Sequence, residues 1–184
     1  EITEAIELSA EQPAPLRGAA ATGIINLRPE GQETVVLPEG AALVLTITNR
    51  HFLPLYLTVL RLDADFGVTR LWPMVAGLHE ALAPGHKLTL GRPTAGAAPI
   101  VMHLPPGAAS RSETFKIFAS LDETDFDYFY QSKLPSHAPS ALPSPPPTAN
   151  QGPVMRAYKL GGSALPADRW GAVEFRVNVV RRAV

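Results

Sequence analysis

The sequence predicts an all-β fold: an antiparallel sandwich, Ig-like or jelly-roll-like, of about eight or nine strands with one or two short helices. Three observations carry that prediction. Leu43–Pro73, LVLTITNRHFLPLYLTVLRLDADFGVTRLWP, reads as three consecutive strands joined by two short turns. Elsewhere, short β-branched and aromatic runs alternate with Pro, Gly and Asp punctuation. Helical periodicity is scarce, which favours a sandwich or barrel over an α/β arrangement.

Taken in order, Ile2–Ala10 is weakly amphipathic and reads as a short helix or an extended segment. Gly23–Leu27 is short and apolar. Thr34–Leu37 runs into the turn Pro38-Glu39-Gly40. Ala42–Asn49 sets Leu43, Leu45 and Ile47 against Val44, Thr46 and Thr48, the period of a strand. Leu55–Leu62 is a β-branched and aromatic run, and Phe66–Trp72 returns after the turn Asp63-Ala64-Asp65. Asp suits that turn because its side chain bonds its own backbone. Lys87–Leu90 follows Pro84-Gly85, and Pro99–Leu104 makes an edge strand closed by Pro105-Pro106-Gly107. Glu113–Ser120 sets Phe115, Ile117 and Ala119 against Lys116, Phe118 and Ser120. Ala172–Arg181 places Val173, Phe175, Val177 and Val179 on one face. Thr124–Gln131 is the better helix candidate, with Thr124 at the N-cap and Asp127 three residues on. A further single turn is expected at Pro166–Trp170, and Trp72 and Trp170 are expected to anchor the ends of the sandwich.

At 184 residues the chain fits one domain, 1–184, with enough length for a core. Seven of the 19 prolines fall between Pro135 and Pro153, so about 132–154 is read as a proline-rich surface insertion between strands. Net charge is −1, with 16 basic and 17 acidic residues spread along the chain, so no footprint for nucleic acid or an anionic membrane exists. No apolar run approaches the ~20 residues of a membrane span. Cys is absent, which removes disulfides, thiolate nucleophiles and Cys-based metal sites, and leaves the compartment open. Starting at Glu1 rather than Met, the chain is expected to be a processed or excised piece.

The chemistry-bearing residues favour structural roles. Of His51, His79, His86, His103 and His137, only His79 stands beside another potential ligand, Glu80, and two ligands make at most a weak metal site. Asp63 and Asp65 lack the longer acidic series and closing Glu of a calcium loop. Ser110 and Ser112 are expected in a polar turn, with no G-x-S-x-G elbow, and Gly161-Gly162 opens no phosphate-binding helix. Asp122, Glu123, Asp125 and Asp127 form the densest acidic group. Their simplest role is favourable charge at a helix start, with Phe126 and Phe129 packed inward. Asp122, Asp125, Asp127, Tyr128 and Tyr130, with the outer face of Leu55–Leu62, are the candidate partner surface. No catalytic residue, metal ligand or cofactor is expected, so an enzyme is not.

With the strands placed, a family pattern emerges. A strand ending in Asn49 is followed by Pro54-Leu55-Tyr56-Leu57-Thr58-Val59-Leu60, then by Gly67-Val68-Thr69-Arg70-Leu71-Trp72-Pro73. After the Pro84-Gly85 turn comes Glu113-Thr114-Phe115-Lys116-Ile117-Phe118-Ala119-Ser120, with Asp125-Phe126 soon after and an alternating strand from Trp170 to Val180. This resembles the β-sandwich domain C-terminal to caspase-like, metacaspase-type peptidase domains, and a related accessory domain of unknown function. The resemblance spans roughly 41–129 and 170–180. It implies a non-catalytic accessory or regulatory domain whose partner is a protein, either the neighbouring peptidase domain or its substrate. The peptidase His/Cys dyad belongs to the neighbouring domain and has no counterpart here. The proline-rich insertion and the alanine-rich 92–98 segment depart from the pattern. A carbohydrate- or cation-binding sandwich module is the alternative.

Overall fold

The computed structural model describes residues 2–11, 24–27, 34–75, 78–92, 98–124 and 168–181. It is all-β: among the described residues there are eleven strands and no helix. They are β1 (Ile6–Glu11), β2 (Ile24–Leu27), β3 (Thr34–Pro38), β4 (Ala42–Asn49), β5 (Leu55–Leu62), β6 (Val68–Trp72), β7 (Ala81–Leu82), β8 (Lys87–Leu90), β9 (Ile100–Val101), β10 (Ser110–Ser120) and β11 (Trp170–Val180). The first sheet runs β2-β1-β4-β8, with β9 pairing the start of β4; the second runs β3-β11-β10-β5-β6, with β7 pairing the start of β5. Every pairing is antiparallel except β3 with β11, which is parallel.

Period-two patterning builds both sheets. On the first, Ile6, Leu8 and Ala10 of β1 and Leu43, Leu45 and Ile47 of β4 point inward and are buried. On the second, Leu55, Leu57 and Val59 of β5 meet Phe115, Ile117 and Ala119 of β10 and the four inward residues of β11, from Val173 to Val179. The two sets form a single buried core. At its centre the cross-strand partners Phe115 and Phe175 stack with centroids 5.0 Å apart and planes 9° from parallel. Such aromatic cross-strand pairs help fix register.

The structure revises several expected boundaries. Ile2–Ala10 is not a helix: residues 2–5 form a turn and β1 is extended, with Ile6, Leu8 and Ala10 buried at alternate positions. Ile2 and Ile6 satisfy a helical spacing as well, which is why the periods compete there. Phe66 lies in the β5–β6 turn at φ 61° rather than in the strand. β10 begins three residues early, so Ser110 and Ser112 are strand residues. The Pro99–Leu104 strand shrinks to β9, although Met102 and Leu104 after it remain buried. Trp72 packs against the core as expected, whereas Trp170 is exposed. Of the helix expected at Thr124–Gln131 only Thr124 is described, and it is not helical. Asp168 and Arg169 form a turn and bend, not a helical turn. The proline-rich insertion lies outside the described residues.

One expected surface is largely covered: the outward residues Thr58 and Leu60 of Leu55–Leu62 are as buried as its inward ones, and of its outward residues only Tyr56 and Leu62, at the strand's ends, are half-buried. β5 is a central strand, and the outward neighbours Phe118 and Lys116 of β10 and Arg70 of β6 flank those two positions.

Candidate interaction site

The two ends of the sandwich differ in chemistry. At one end, the inner face of the second sheet stops being apolar. Glu113, 1% exposed, projects inward one alternation before Phe115. Arg61 of β5 donates Nε and Nη2 to its carboxylate at 2.6 and 2.9 Å. Arg111 lies 3.3 Å from Glu113 and 3.3–3.5 Å from Asp65 and Asp63. Its Nε is buried and makes no hydrogen bond, so the Glu113 contact is electrostatic, without a donor aligned on an acceptor. Asp63 Oδ1 also accepts the backbone N–H of Asp65 and Gly67, at 3.0 and 2.8 Å, the expected side-chain-to-backbone turn. These carboxylates face arginines, an arrangement that neutralises charge rather than ligating a cation. Among the described residues no group of three or more potential metal ligands exists.

The opposite end is organised by Asn49, the last residue of β4 and 1% exposed. Its Nδ2 donates to the carbonyls of Leu53 and Leu82 at 3.0 and 2.8 Å, and its Oδ1 accepts the His51 N–H at 2.8 Å. Its backbone N–H and C=O pair with His86 and Gly85. One side chain thereby ties the β4–β5 loop to β7, while its backbone holds the β7–β8 turn. His51 stacks on Phe52 and accepts the Leu53 N–H through Nδ1. The held β4–β5 loop carries Phe52 and Leu53 to the surface, and the residues between β6 and β7 and at the start of β11 bring further apolar side chains to the same end. Of the eight exposed large apolar residues among the described residues, six lie at this end: Phe52, Leu53, Met74, Val75, Leu78 and Trp170. Exposed large apolar residues gathered at one end of a fold make that end a candidate interaction surface.

Beside that rim lies a groove of about 270 Å³, walled by Leu53, Pro54, Tyr56, Leu121 and Arg169. β10 and β11 meet here through the Ser120–Trp170 pair, and Leu121 N–H donates to the Arg169 carbonyl. Arg169 Nε and Nη2 reach both oxygens of Asp122 at 2.6 and 2.7 Å. Hydrogen bonding from Arg169 holds the Asp122 carboxyl below the usual carboxylate range, against a weaker opposing effect of desolvation. Asp122 raises the Arg169 pKa in turn. The Asp122 backbone N–H donates to Ser120 Oγ at 3.1 Å, and its carbonyl accepts from Thr124 Oγ1.

A second groove, of about 370 Å³, lies on the outer face of the first sheet. Ser9, Thr46 and Thr89 sit in register across β1, β4 and β8, flanked by Glu11, Lys87 and Arg92. The Thr46 and Thr89 hydroxyls are 3.5 Å apart, and Arg92 reaches Glu11 at 3.4 Å.

Of the candidate partner residues, the structure places Asp122 on the groove-side ion pair. Asp125, Asp127, Tyr128 and Tyr130 lie outside the described residues. His51, His86 and Asn49 meet at the loop end, whereas His103 is exposed elsewhere and His79 is half-buried with an unpartnered Nε2. Asn49 and Glu113 were read only as strand-pattern residues, and Arg61, Arg111 and Arg169 were not singled out as site residues. The one available signal was the polar residue closing an apolar strand, Asn49, just ahead of His51-Phe52-Leu53-Pro54. Comparison with known proteins returned no matching family model, no matching curated protein and no matching solved structure.

Proposed function

We propose that this chain is a non-catalytic β-sandwich module that docks on a protein partner through the apolar loop end organised by Asn49. The observation that carries this reading is the placement of Phe52, Leu53, Met74, Val75, Leu78 and Trp170 on the loops and strand start of one end, while the other end closes on buried ion pairs. Aromatic residues and Met are the types enriched at the centres of protein interfaces. The partner proposed is a caspase-like peptidase domain or its substrate. Support comes from the sequence resemblance, whose PLYLTVL, RLWP and ETFKIFAS pieces fall on or beside the adjacent strands β5, β6 and β10. In a full-length protein carrying both domains, deleting this one is expected to change activation or targeting while the isolated peptidase keeps its activity. Phe52→Ser with Leu78→Ser is expected to abolish association of the two domains supplied separately. Unchanged activation, targeting and association would sink the reading.

A second reading, a carbohydrate-binding module, draws on the Ser9–Thr46–Thr89 hydroxyl row. It predicts glycan binding that is lost in Thr46→Val and Thr89→Val, and a glycan screen with no response removes it.

A further inference from the structure

Two exposed large apolar residues lie away from the loop-end rim: Phe66, in a turn, and Val36, in the middle of β3 and 60% exposed. β3 ends the second sheet. It runs parallel to the Arg176–Val180 half of β11, and among the described residues no strand pairs with its other edge. One hydrogen bond fixes the direction of its backbone groups: Glu39 N–H donates to the Val180 carbonyl of β11 at 2.9 Å. Backbone groups alternate sides along a strand, so Val35 and Leu37 also face β11, whereas Thr34, Val36 and Pro38 turn theirs outward. Pro38 has no N–H to leave unpaired, and its carbonyl accepts the Ala41 N–H at 3.0 Å. The open edge is therefore the N–H and C=O of Thr34 and of Val36.

Such unpaired groups are a template for another strand, and edges are ordinarily blunted by charge, proline or a bulge. β6, at the far side of the same sheet, carries Arg70 and a register shift against β5, and β8 opens with Lys87. Thr34–Leu37 has neither charge nor bulge, and its outward side chains, Thr34 and Val36, are exposed.

We propose that β3 pairs antiparallel with β3 of a second copy of this chain, joining two second sheets into one across a twofold axis at Val35. In that register Thr34 lies opposite Val36 of the second copy, and the two exchange both hydrogen bonds. The axis repeats the exchange, so every outward group is used. A register centred on Val36 instead sets Thr34 opposite Pro38, which has no N–H and whose carbonyl is already engaged. A strand from a different protein would satisfy the same groups but present its own far edge unpaired, whereas a second copy closes both edges at once. On the outer face each exposed Val36 gains a cross-strand Thr34. The contact is short, so the dimer is weak and concentration-dependent rather than obligate. It leaves the rim free, because β3 lies along the half of β11 away from Trp170. The inference is thus independent of the docking reading above.

The chain has no cysteine, so single-cysteine variants test the register without background. Thr34→Cys mixed with Val36→Cys should form a disulfide-linked pair on oxidation. Either variant alone should form far less, because like positions sit diagonally across the axis. In sedimentation over about 10 μM to 1 mM, a range suited to an interface below standard size, the wild-type mass should rise from monomer towards dimer. Val36→Lys sets like charges diagonally across the axis and should weaken association roughly tenfold or more. Val36→Pro removes an outward N–H and no ladder bond, and should act in the same direction; Val36→Lys decides if circular dichroism shows the proline variant unfolded. Phe52→Ser with Leu78→Ser should leave self-association unchanged. A wild-type chain monomeric throughout, cross-linking by one variant alone as readily as by the mixture, or association insensitive to Val36→Lys would each overturn the proposal. Self-association lost in the rim variants but kept in Val36→Lys would assign the contact to the rim and overturn it too. Dimerisation as described, with domain association unaffected by the rim variants, upholds this inference and sinks the docking reading.

Discussion

Arg61 and Glu113, 52 positions apart in the chain, form a two-pronged ion pair at 2.6 and 2.9 Å on the inner face of the second sheet, where the apolar core ends. Glu113 occupies a position that alternation assigns to the core, and it is buried there. A buried carboxylate is tolerable only when paired and hydrogen-bonded. Arg61 supplies that pairing, and Arg111 adds a second positive charge. Removing one partner leaves the other desolvated. Glu113→Gln is therefore expected to destabilise the domain by about 3 kcal/mol, the low end for a broken buried pair because Arg61 retains some solvent contact. Arg61→Met with Glu113→Leu fills the same space with apolar atoms and should recover much of that loss. Urea unfolding of the single and double variants measures both, and a double variant less stable than Glu113→Gln would refute the account.

Asn49→Ala removes the donor to Leu53 and Leu82 and the acceptor for His51 at one stroke. Each buried group left unpaired costs about 1–3 kcal/mol, moderated here because Leu53 lies in an exposed loop. The expected outcome is a loss of about 2 kcal/mol in urea unfolding. Hydrogen exchange should also become faster at His51, while the β10 and β11 amides remain protected. Uniform acceleration across all strands would show that Asn49 supports the whole fold rather than this end.

Gly91 sits at φ +79° where β8 leaves the first sheet, and a Cβ built on it falls against the Leu43 carbonyl oxygen and within 3.1–3.2 Å of the Ile100 side chain. The carbonyl belongs to β4 at its pairing with β9 and has nowhere to retreat. Gly91→Ala combines that clash with a left-handed backbone costing about 1–2 kcal/mol by itself. The melting temperature should fall. Gly85→Ala, at φ +74° with no atom within 4 Å of the added methyl, should cost only the backbone part. Equal losses for the two variants would exclude the steric contribution.

How much of this was legible follows from what sets each feature. β4, β10 and β11 were readable because one face of each lies in the core, so burial writes a period of two into the residues. Asp63 was readable because its partners lie two and four residues away. The ion pairs were not: Arg61–Glu113 and Asp122–Arg169 join positions 52 and 47 apart, and only strand order brings them together. For the same reason Leu55–Leu62 was misjudged. Composition marks a strand, but the flanking of Thr58 and Leu60 by Phe118, Lys116 and Arg70 is decided by which strands become its neighbours.

Asp122 offers a pH test of the groove-side pair. Its pKa is lowered in the folded state, chiefly by hydrogen bonding to Arg169. A carboxyl whose folded pKa lies below its unfolded one contributes stability that is complete above the ordinary carboxylate range. That contribution is lost as pH falls through the folded value. Lowering the pH from neutrality should therefore leave the pair intact until the solution is more acidic than an ordinary Asp titrates. Carbon NMR of the Asp122 carboxyl is expected to show its midpoint below that range, and Arg169→Gln is expected to return it upward. Salt should have the same direction of effect on the wild-type midpoint but a smaller one, because exposed charges are screened whereas the hydrogen bonds persist. A midpoint unchanged by Arg169→Gln would mean that the two side chains do not share the fork in solution.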